Sequence, residues 1–354
     1  MSEYQYYEFQ AIDRPLTLDE QKAVASLSSR VSPHPRRAAF TYSFGGGLRR
    51  RPEDLLADYY DAMLYLANWG SRQLMFRFPK SLIDLEQVEP YCIEDRVTFS
   101  DVGDYVVLDI ELSEEEGGDW IEGEGILDRL IGLREEILSQ DYRVLYLAWL
   151  KAVELEGEFA GDADLEPPVP PGLHKLSPAL QAFVVLFEVD EHLIQMAAKS
   201  SDQPAKVEVD VRRAIAQLPR EECEVFLLRL AQGEPHLSVE LNRKLQTLIG
   251  RPERKNHPRR TVGQLLAAAE REREQVAKRR AEEAEAKRIR ELEELQMLSS
   301  AALPFDVLAQ VRELAGHGLG LERIKGLCRS AGIMVRSSAS KYQLVHVIIR
   351  GLDR

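Results

Sequence analysis

The densest run of side chains able to do chemistry lies at the C-terminal end. From Leu321 onward there are seven basic residues, Arg323, Lys325, Arg329, Arg336, Lys341, Arg350 and Arg354, against only Glu322 and Asp353. Ser338 and Ser340 precede Lys341 at the predicted start of a helix. Hydroxyls, backbone N–H groups and an ammonium at a helix N-terminus form an anion site. The matching ligand is the phosphate backbone of DNA or RNA. The contacting set is Arg323, Lys325, Arg329, Arg336, Ser338, Ser340 and Lys341. A second arrangement of this kind is the triple glycine Gly45–Gly47 followed by Arg49, Arg50 and Arg51. A glycine turn beside three guanidinium groups suits a phosphate. It lacks the following Lys-Ser/Thr of a phosphate-binding loop, and a connecting loop with a solvated charge run is the plainer reading.

Other constellations fall short of a reaction centre. The seven histidines, His34, His174, His192, His236, His257, His317 and His346, show no metal-ligand spacing with one another or with cysteine. His192 beside Asp190 and Glu191 reads as a surface histidine. Glu114–Glu124 surrounds Trp120 with carboxylates, but its glycine pairs mark a surface loop without calcium-loop spacing. Nucleophile-elbow, Walker and dinucleotide signatures are absent. No set of residues supplies acid, base and orienter together. No catalytic residue, metal or cofactor is therefore assigned; an enzyme with an unrecognised site in residues 1–160, with Arg49, Arg50 and Arg51 as phosphate ligands, is a third reading beside the two given below.

Charge is distributed unevenly. Residues 1–250 hold 45 Asp and Glu against 25 Lys and Arg, a balance of −20, whereas residues 251–354 hold 14 against 21, a balance of +7. An acidic body with a basic tail assigns any nucleic-acid contact to the tail. No apolar run reaches the roughly 18 residues of a membrane span. The opening MSEYQYYEFQ lacks a basic start followed by an apolar stretch. Cys92, Cys223 and Cys328 are odd in number and far apart, which fits a reducing compartment. The location expected is the cytoplasm, without a membrane partner.

The elements that must position these groups follow from pattern. Strands are predicted over Tyr4–Ile12, Ala38–Phe44, Gln73–Phe78 and Arg96–Leu112, the last folded into a hairpin at Gly103-Asp104. Thr17 with Glu20 has capping-box spacing. Pro52 opens the clearest helix of this half, with Leu56, Tyr60, Met63 and Ala67 on one face and Gly70 at its end. Another helix is predicted from about Ile126 to Leu155. The fold class is therefore an α+β N-terminal domain, residues 1–160, rather than a doubly wound one.

Residues 161–172 contain four prolines and read as a linker or a stiff extended crossing. Residues 173–250 read as an all-helical domain. One helix is predicted from Ser177-Pro178 with Leu180, Val184, Phe187 and Leu193 apolar, and others over Val209–Gln217, Arg220–Gln232 and Ser238–Ile249. Residues 251–300 form a basic connector and then a long charged helix, started by Thr261 with Gln264. Between Leu266 and Ile289 the only large apolar residue is Val276, so no heptad seam is kept. Glu274 with Lys278 and Glu283 with Lys287 support a solvated single helix that acts as a spacer. A homodimer through this long helix is the alternative.

Residues 301–354 form a small helical module. Leu327-Cys-Arg-Ser-Ala-Gly-Ile333 and the Ser340-Lys-Tyr-Gln-Leu-Val345 helix start resemble the helix-extended-helix modules of the SAP and Rho N-terminal type. Members of this type bind DNA or RNA through the loop and the start of the second helix, which implies Arg336, Ser338, Ser340 and Lys341 near phosphates. The segments EYQYYEFQAIDRPLT and YLANWGSRQLMFRFP, together with Arg260-Thr-Val-Gly-Gln-Leu-Leu266, resemble a family of uncharacterised bacterial proteins, some with SWIM zinc-finger neighbours. That resemblance implies a bacterial cytoplasmic origin and transfers no activity. The chain has no SWIM zinc motif. The combined reading is a non-enzymatic nucleic-acid-associated accessory protein whose body binds a protein partner. A protein-interaction scaffold without nucleic-acid binding is the alternative.

Overall fold

A computed structural model describes residues 4–28, 31, 33–43, 47–113, 122–156, 163–203, 211–249 and 259–300. In chain order the elements are β1 (Tyr4–Gln10), α1 (Leu18–Ala25), β2 (Arg37–Ser43), α2 (Pro52–Tyr59), β3 (Ala62–Ala67), β4 (Arg72–Pro79), α3 (Leu85–Val88), β5 (Val97–Val102) and β6 (Tyr105–Glu111). Then come α4 (Ile126–Leu130), α5 (Gly132–Leu138), α6 (Arg143–Glu156), α7 (Pro178–Phe187), α8 (Glu191–Ala198), α9 (Val211–Ile215), α10 (Arg220–Ala231), α11 (Leu237–Ile249) and α12 (Val262–Ser300). The chain divides into two compact units, residues 1–271 and 272–354.

The strands form one antiparallel sheet in the order β2-β1-β3-β4-β6-β5. An N-terminal α+β architecture followed by helices is therefore present. Successive side chains point to opposite faces of a strand, and here both faces are covered. Tyr7, Phe9, Phe40, Met63, Met75 and Val107 pack under α1 and α2 with Leu55, Leu56 and Tyr60. Tyr6, Leu64, Leu74, Phe76, Leu108 and Ile110 face a helical layer that includes Leu130, Leu145, Phe183 and Leu193. The larger core thus runs from the sheet through α4–α8 to Val262, Leu265 and Ala269 of α12.

This two-sided burial corrects one sequence expectation. The helix begun at Pro52 stops after Tyr59, and Ala62–Ala67 is a strand rather than its continuation. A strand buried on both faces reads as an unbroken apolar run without period-2 alternation. Leu56, Tyr60, Met63 and Ala67 therefore mimicked helical spacing. The break is held by Asp61, whose N–H donates to the Gln10 carbonyl at 2.8 Å while its Oδ2 accepts from the N–H groups of Ile12 and Asp13.

The helix expected over Ile126–Leu155 is three helices, because Gln140 adopts a left-handed φ of 63° and Gly132 starts a new one. The helix from Ser177 likewise ends at Glu188, at φ 52°, and restarts behind the Asp190 cap. Residues 163–172 are not a free connection. Tyr91 donates its hydroxyl to the Pro168 carbonyl at 2.7 Å, and the Ser201 hydroxyl donates to the Pro170 carbonyl at 2.8 Å. α7 and α8, expected within a separate helical domain, share the core of the sheet. The segment α9–α11 instead has a small centre of its own around Ala214, Leu218 and Leu245.

Candidate functional site

The arginine turn leads into α2. Arg49 and Arg51 are exposed and Arg50 is half-buried. Arg50 is paired with Asp58 and lies 5.9 Å over the Tyr59 ring. Arg51 meets Asp54 at 3.1 Å. Two of the three guanidinium groups are thus engaged by carboxylates of the helix they precede. Such exposed pairs are weak, so a phosphate arriving at the turn competes with modest opposition. A Cβ added to Gly47 would lie 3.9 Å from Gln5 Oε1, which places Gly47 beside β1; Gly45 and Gly46 lie outside the described residues.

Beside that turn the α2 face of the sheet carries a polar, aromatic strip. Tyr7 and Tyr65 are stacked with ring centroids 4.4 Å apart, and both donate their hydroxyls to Gln5 Oε1, at 3.1 and 3.5 Å. On β4 the Gln73 amide donates to both oxygens of Asp109 on β6 at 3.0 Å. Burial raises the Asp109 carboxyl to about 7; the Gln73 hydrogen bonds oppose the shift, and the charges of Glu111 and Glu53 add to it. Glu53 on α2 has a buried Oε2 without a hydrogen-bond partner among the described residues. A buried carboxyl titrating near neutrality beside an unsatisfied one is a marker of functional sites.

Two further clusters are closed networks. Fully buried Glu8 accepts from the Tyr6 hydroxyl at 2.7 Å, from Gln10 Nε2 at 3.0 Å and from Arg37 Nε at 2.9 Å. Gln10 also reaches Asp128 of α4 at 2.6 Å. Nearby, Asp13 takes a bidentate clasp from Arg134, at 2.7 and 2.9 Å, and a contact from His236 Nε2 at 2.9 Å. Burial pushes the Asp13 carboxyl up, but the His236 and Arg134 bonds and charges outweigh it and hold it well below the usual range. Arg77 donates to Asp61 at 2.6 Å, and Arg134 Nε donates to the Arg77 carbonyl. Apart from Arg77 Nε, which is buried with no hydrogen-bond partner among the described residues, these charges satisfy one another, which suits holding elements together more than acting on a substrate.

A third cluster fixes the base of α12. The Arg260 guanidinium clasps Glu166 at 2.8 and 2.9 Å, and the Tyr146 hydroxyl donates to the same carboxylate at 2.5 Å. Leu165 and Thr261 form an antiparallel bridge. The Thr261–Gln264 capping box is present, at 3.1 and 3.2 Å. From Ala277 to Arg290 every α12 side chain is exposed, with ion pairs Lys278–Glu282 and Glu285–Arg288 rather than the expected Glu274–Lys278 and Glu283–Lys287.

Arg323, Lys325, Arg329, Arg336, Ser338, Ser340 and Lys341 lie outside the described residues, as does most of the acidic stretch Glu114–Glu124. Among the described residues no three His, Cys, Asp or Glu side chains group as a metal site. His192 is half-buried, and its Nδ1 is buried with no hydrogen-bond partner among the described residues. Also among the described residues, no helix is long and apolar enough to cross a membrane. Sequence reasoning missed Glu8, Asp61, Asp109 and Glu166. The one signal for Glu8 and Asp109 was a charged residue inside an apolar strand, as in YYEFQ and VVLDIE, whereas Asp61 and Glu166 lie between elements and carried none. No family model, no curated protein and no solved structure matches the chain.

Proposed function

We propose that this is a non-enzymatic, nucleic-acid-associated accessory protein of the bacterial cytoplasm. The segment after residue 250 contacts phosphates, and the folded body binds a protein partner. The observation that carries the reading is the division of charge: −20 over residues 1–250 and +7 over residues 251–354. An acidic body repels a polyanion and a basic tail attracts it, so contact is confined to one part of the chain. The anchoring of α12 supports the same division. Val262, Leu265 and Ala269 of its first turns are buried and Arg260 just before it is clasped by Glu166, so the helix that leads toward the basic segment has a fixed start. Arg323, Lys325, Arg329, Arg336, Ser338, Ser340 and Lys341 are the proposed phosphate contacts, in a module of the SAP or Rho N-terminal type.

The test is fluorescence anisotropy of the full chain with DNA and RNA duplexes and single strands, from about 50 to 200 mM salt. Binding should weaken steeply with salt, and Arg336→Glu with Lys341→Glu should abolish it while the circular dichroism stays unchanged. Equal affinity in the variant would sink the reading. The scaffold alternative draws on a different observation, the exposed aliphatic side chains of α10. Absence of nucleic-acid binding at the lowest salt would favour it.

A further inference from the structure

Helices α9, α10 and α11 are inserted between two places that the body holds firmly. The chain leaves the body after Ser201 and Asp202. The Ser201 hydroxyl donates to the Pro170 carbonyl at 2.8 Å, and the Gly172 N–H donates to the Asp202 carbonyl at 2.8 Å. It returns at Arg259 and Arg260, which donate to the carbonyl and the carboxylate of Glu166, and the Val262 N–H donates to the Asp164 carbonyl at 2.8 Å. Exit and return are thus both fastened to residues 164–172, and none of these bonds uses a residue of α9–α11.

The inserted helices have a centre of their own, and α11 carries two faces. Leu241, Lys244, Leu245 and Leu248 have the i, i+3, i+4, i+7 spacing of one helix face. That face meets α9 and α10: Leu245 packs with Ala214 and Leu218, Leu241, Leu248 and Cys223 border them, and Lys244 pairs with Glu222 at 3.0 Å. The opposite side, Val239 and Arg243, faces the body together with His236 just before the helix. His236 Nε2 contacts Asp13 Oδ2 at 2.9 Å, and Arg243 donates to the Leu82 and Leu138 carbonyls at 2.6 and 2.7 Å. Among the described apolar residues of α9–α11, Val239 alone joins the large core. No α10 side chain is buried, and on α9 only Ala214 is, inside the small centre. Units joined by so small and polar a junction move against each other, whereas a large apolar one holds them rigid.

We propose that α9–α11 is a detachable module that leaves the folded body as a unit, with His236 and Arg243 as its latch. Release uncovers Asp13 and the α11 stripe of Val239 and Arg243. It leaves the sheet, the Arg134 clasp on Asp13 and the base of α12 in place, because the bonds at residues 164–172 do not pass through the module. The latch donors regain water on release, so each bond holds only modestly. Opening is a local event, well below the free energy of unfolding the body. The device is independent of nucleic-acid binding.

The test is the rate at which single buried thiols of the full chain react with N-ethylmaleimide. Each position is read by peptide mass spectrometry, so Cys92, Cys223 and Cys328 do not interfere. Val239→Cys reports the latched face, Val144→Cys the core of the body and Leu245→Cys the centre of the module. The Val239→Cys thiol should react at least about tenfold faster than the other two. Adding His236→Ala with Arg243→Ala should speed it at least about tenfold more and leave the Val144→Cys rate unchanged. His236→Gln, which keeps a donor, should have a smaller effect than His236→Ala. A Val239→Cys thiol no faster than Val144→Cys would mean that the module leaves only when the body unfolds, and would overturn the proposal. Equal rates for Leu245→Cys and Val239→Cys would do the same, since the helices would then melt rather than depart together. A Val239→Cys rate unmoved by the alanine substitutions would remove the latch. Should the double alanine variant fail to fold, the comparison of the three thiols in the otherwise unchanged chain still decides.

Discussion

Arg260 and Glu166, 94 residues apart in sequence, form a bidentate ion pair that fastens the residue just before the α12 cap to the chain crossing between α6 and α7. Glu166 is 2% exposed and also accepts the Tyr146 hydroxyl. Pairing this carboxylate satisfies a charge that would be costly to bury alone.

Glu166→Ala should therefore lower stability by about 3–5 kcal/mol, since it leaves the Arg260 guanidinium without its counter-ion. Glu166→Gln, which keeps an acceptor for Tyr146, should cost less. Urea midpoints of the two variants check the order. An unchanged midpoint for Glu166→Ala would mean that the base of α12 is held by its apolar contacts alone.

Asp109 sets a pH dependence of defined sign. Its folded-state pKa lies above the unfolded value, at about 7, so the protonated form is favoured on folding. The stability it contributes is full below the unfolded pKa and is lost as pH rises through about 7. Asp109→Asn should remove this dependence and should melt higher than wild type above that pH. Melting curves from pH 5.5 to 8.5 decide it; parallel curves for both proteins would mean that Asp109 does not titrate in this window.

Gly123 has no room for a side chain, because a Cβ there would lie 2.2 Å from Tyr6 Cδ1. The Tyr6 ring is buried and its hydroxyl is tied to Glu8, so it cannot swing away cheaply. Gly123→Ala should cost about 1–3 kcal/mol, the usual penalty of overpacking. Tyr6→Leu in the same chain should recover part of that loss. A double variant no more stable than Gly123→Ala alone would place the strain elsewhere.

Asp61 is 1% exposed and receives two backbone N–H bonds as well as Arg77. Asp61→Asn keeps an acceptor but removes the charge facing Arg77 and Arg134. A loss of about 3 kcal/mol is expected, as for any broken buried pair. Hydrogen exchange should show it first at the N–H groups of Ile12 and Asp13. Protection there equal to wild type would contradict the role given to Asp61.

Local signals translated well where they acted within a few residues. The Thr17–Glu20 and Thr261–Gln264 capping boxes form as their spacing implies, and the Gly103-Asp104 hairpin joins β5 to β6. The Pro52 start of α2 is likewise in place. What failed was continuity. Tyr60, Met63 and Ala67 were assigned to a helix because an apolar run of that length has two readings, and only pairing with β1 and β4 selects the strand. The long helix over Ile126–Leu155 failed for a related reason: Gln140 carries no turn signature, and its left-handed backbone is imposed by the packing of α5 and α6 on the sheet.

The same division applies to the sites. Composition alone determined the charge asymmetry and the run of glycines before three arginines, because formal charge and residue type are properties of the chain whatever its fold. It could not determine that Arg50 and Arg51 are engaged by Asp58 and Asp54, or that burial raises the Asp109 carboxyl to about 7. Nor could it determine that α10 keeps its leucines in water. Each of these depends on burial and on distances between residues far apart in sequence, and those quantities exist only once the sheet has brought its strands together.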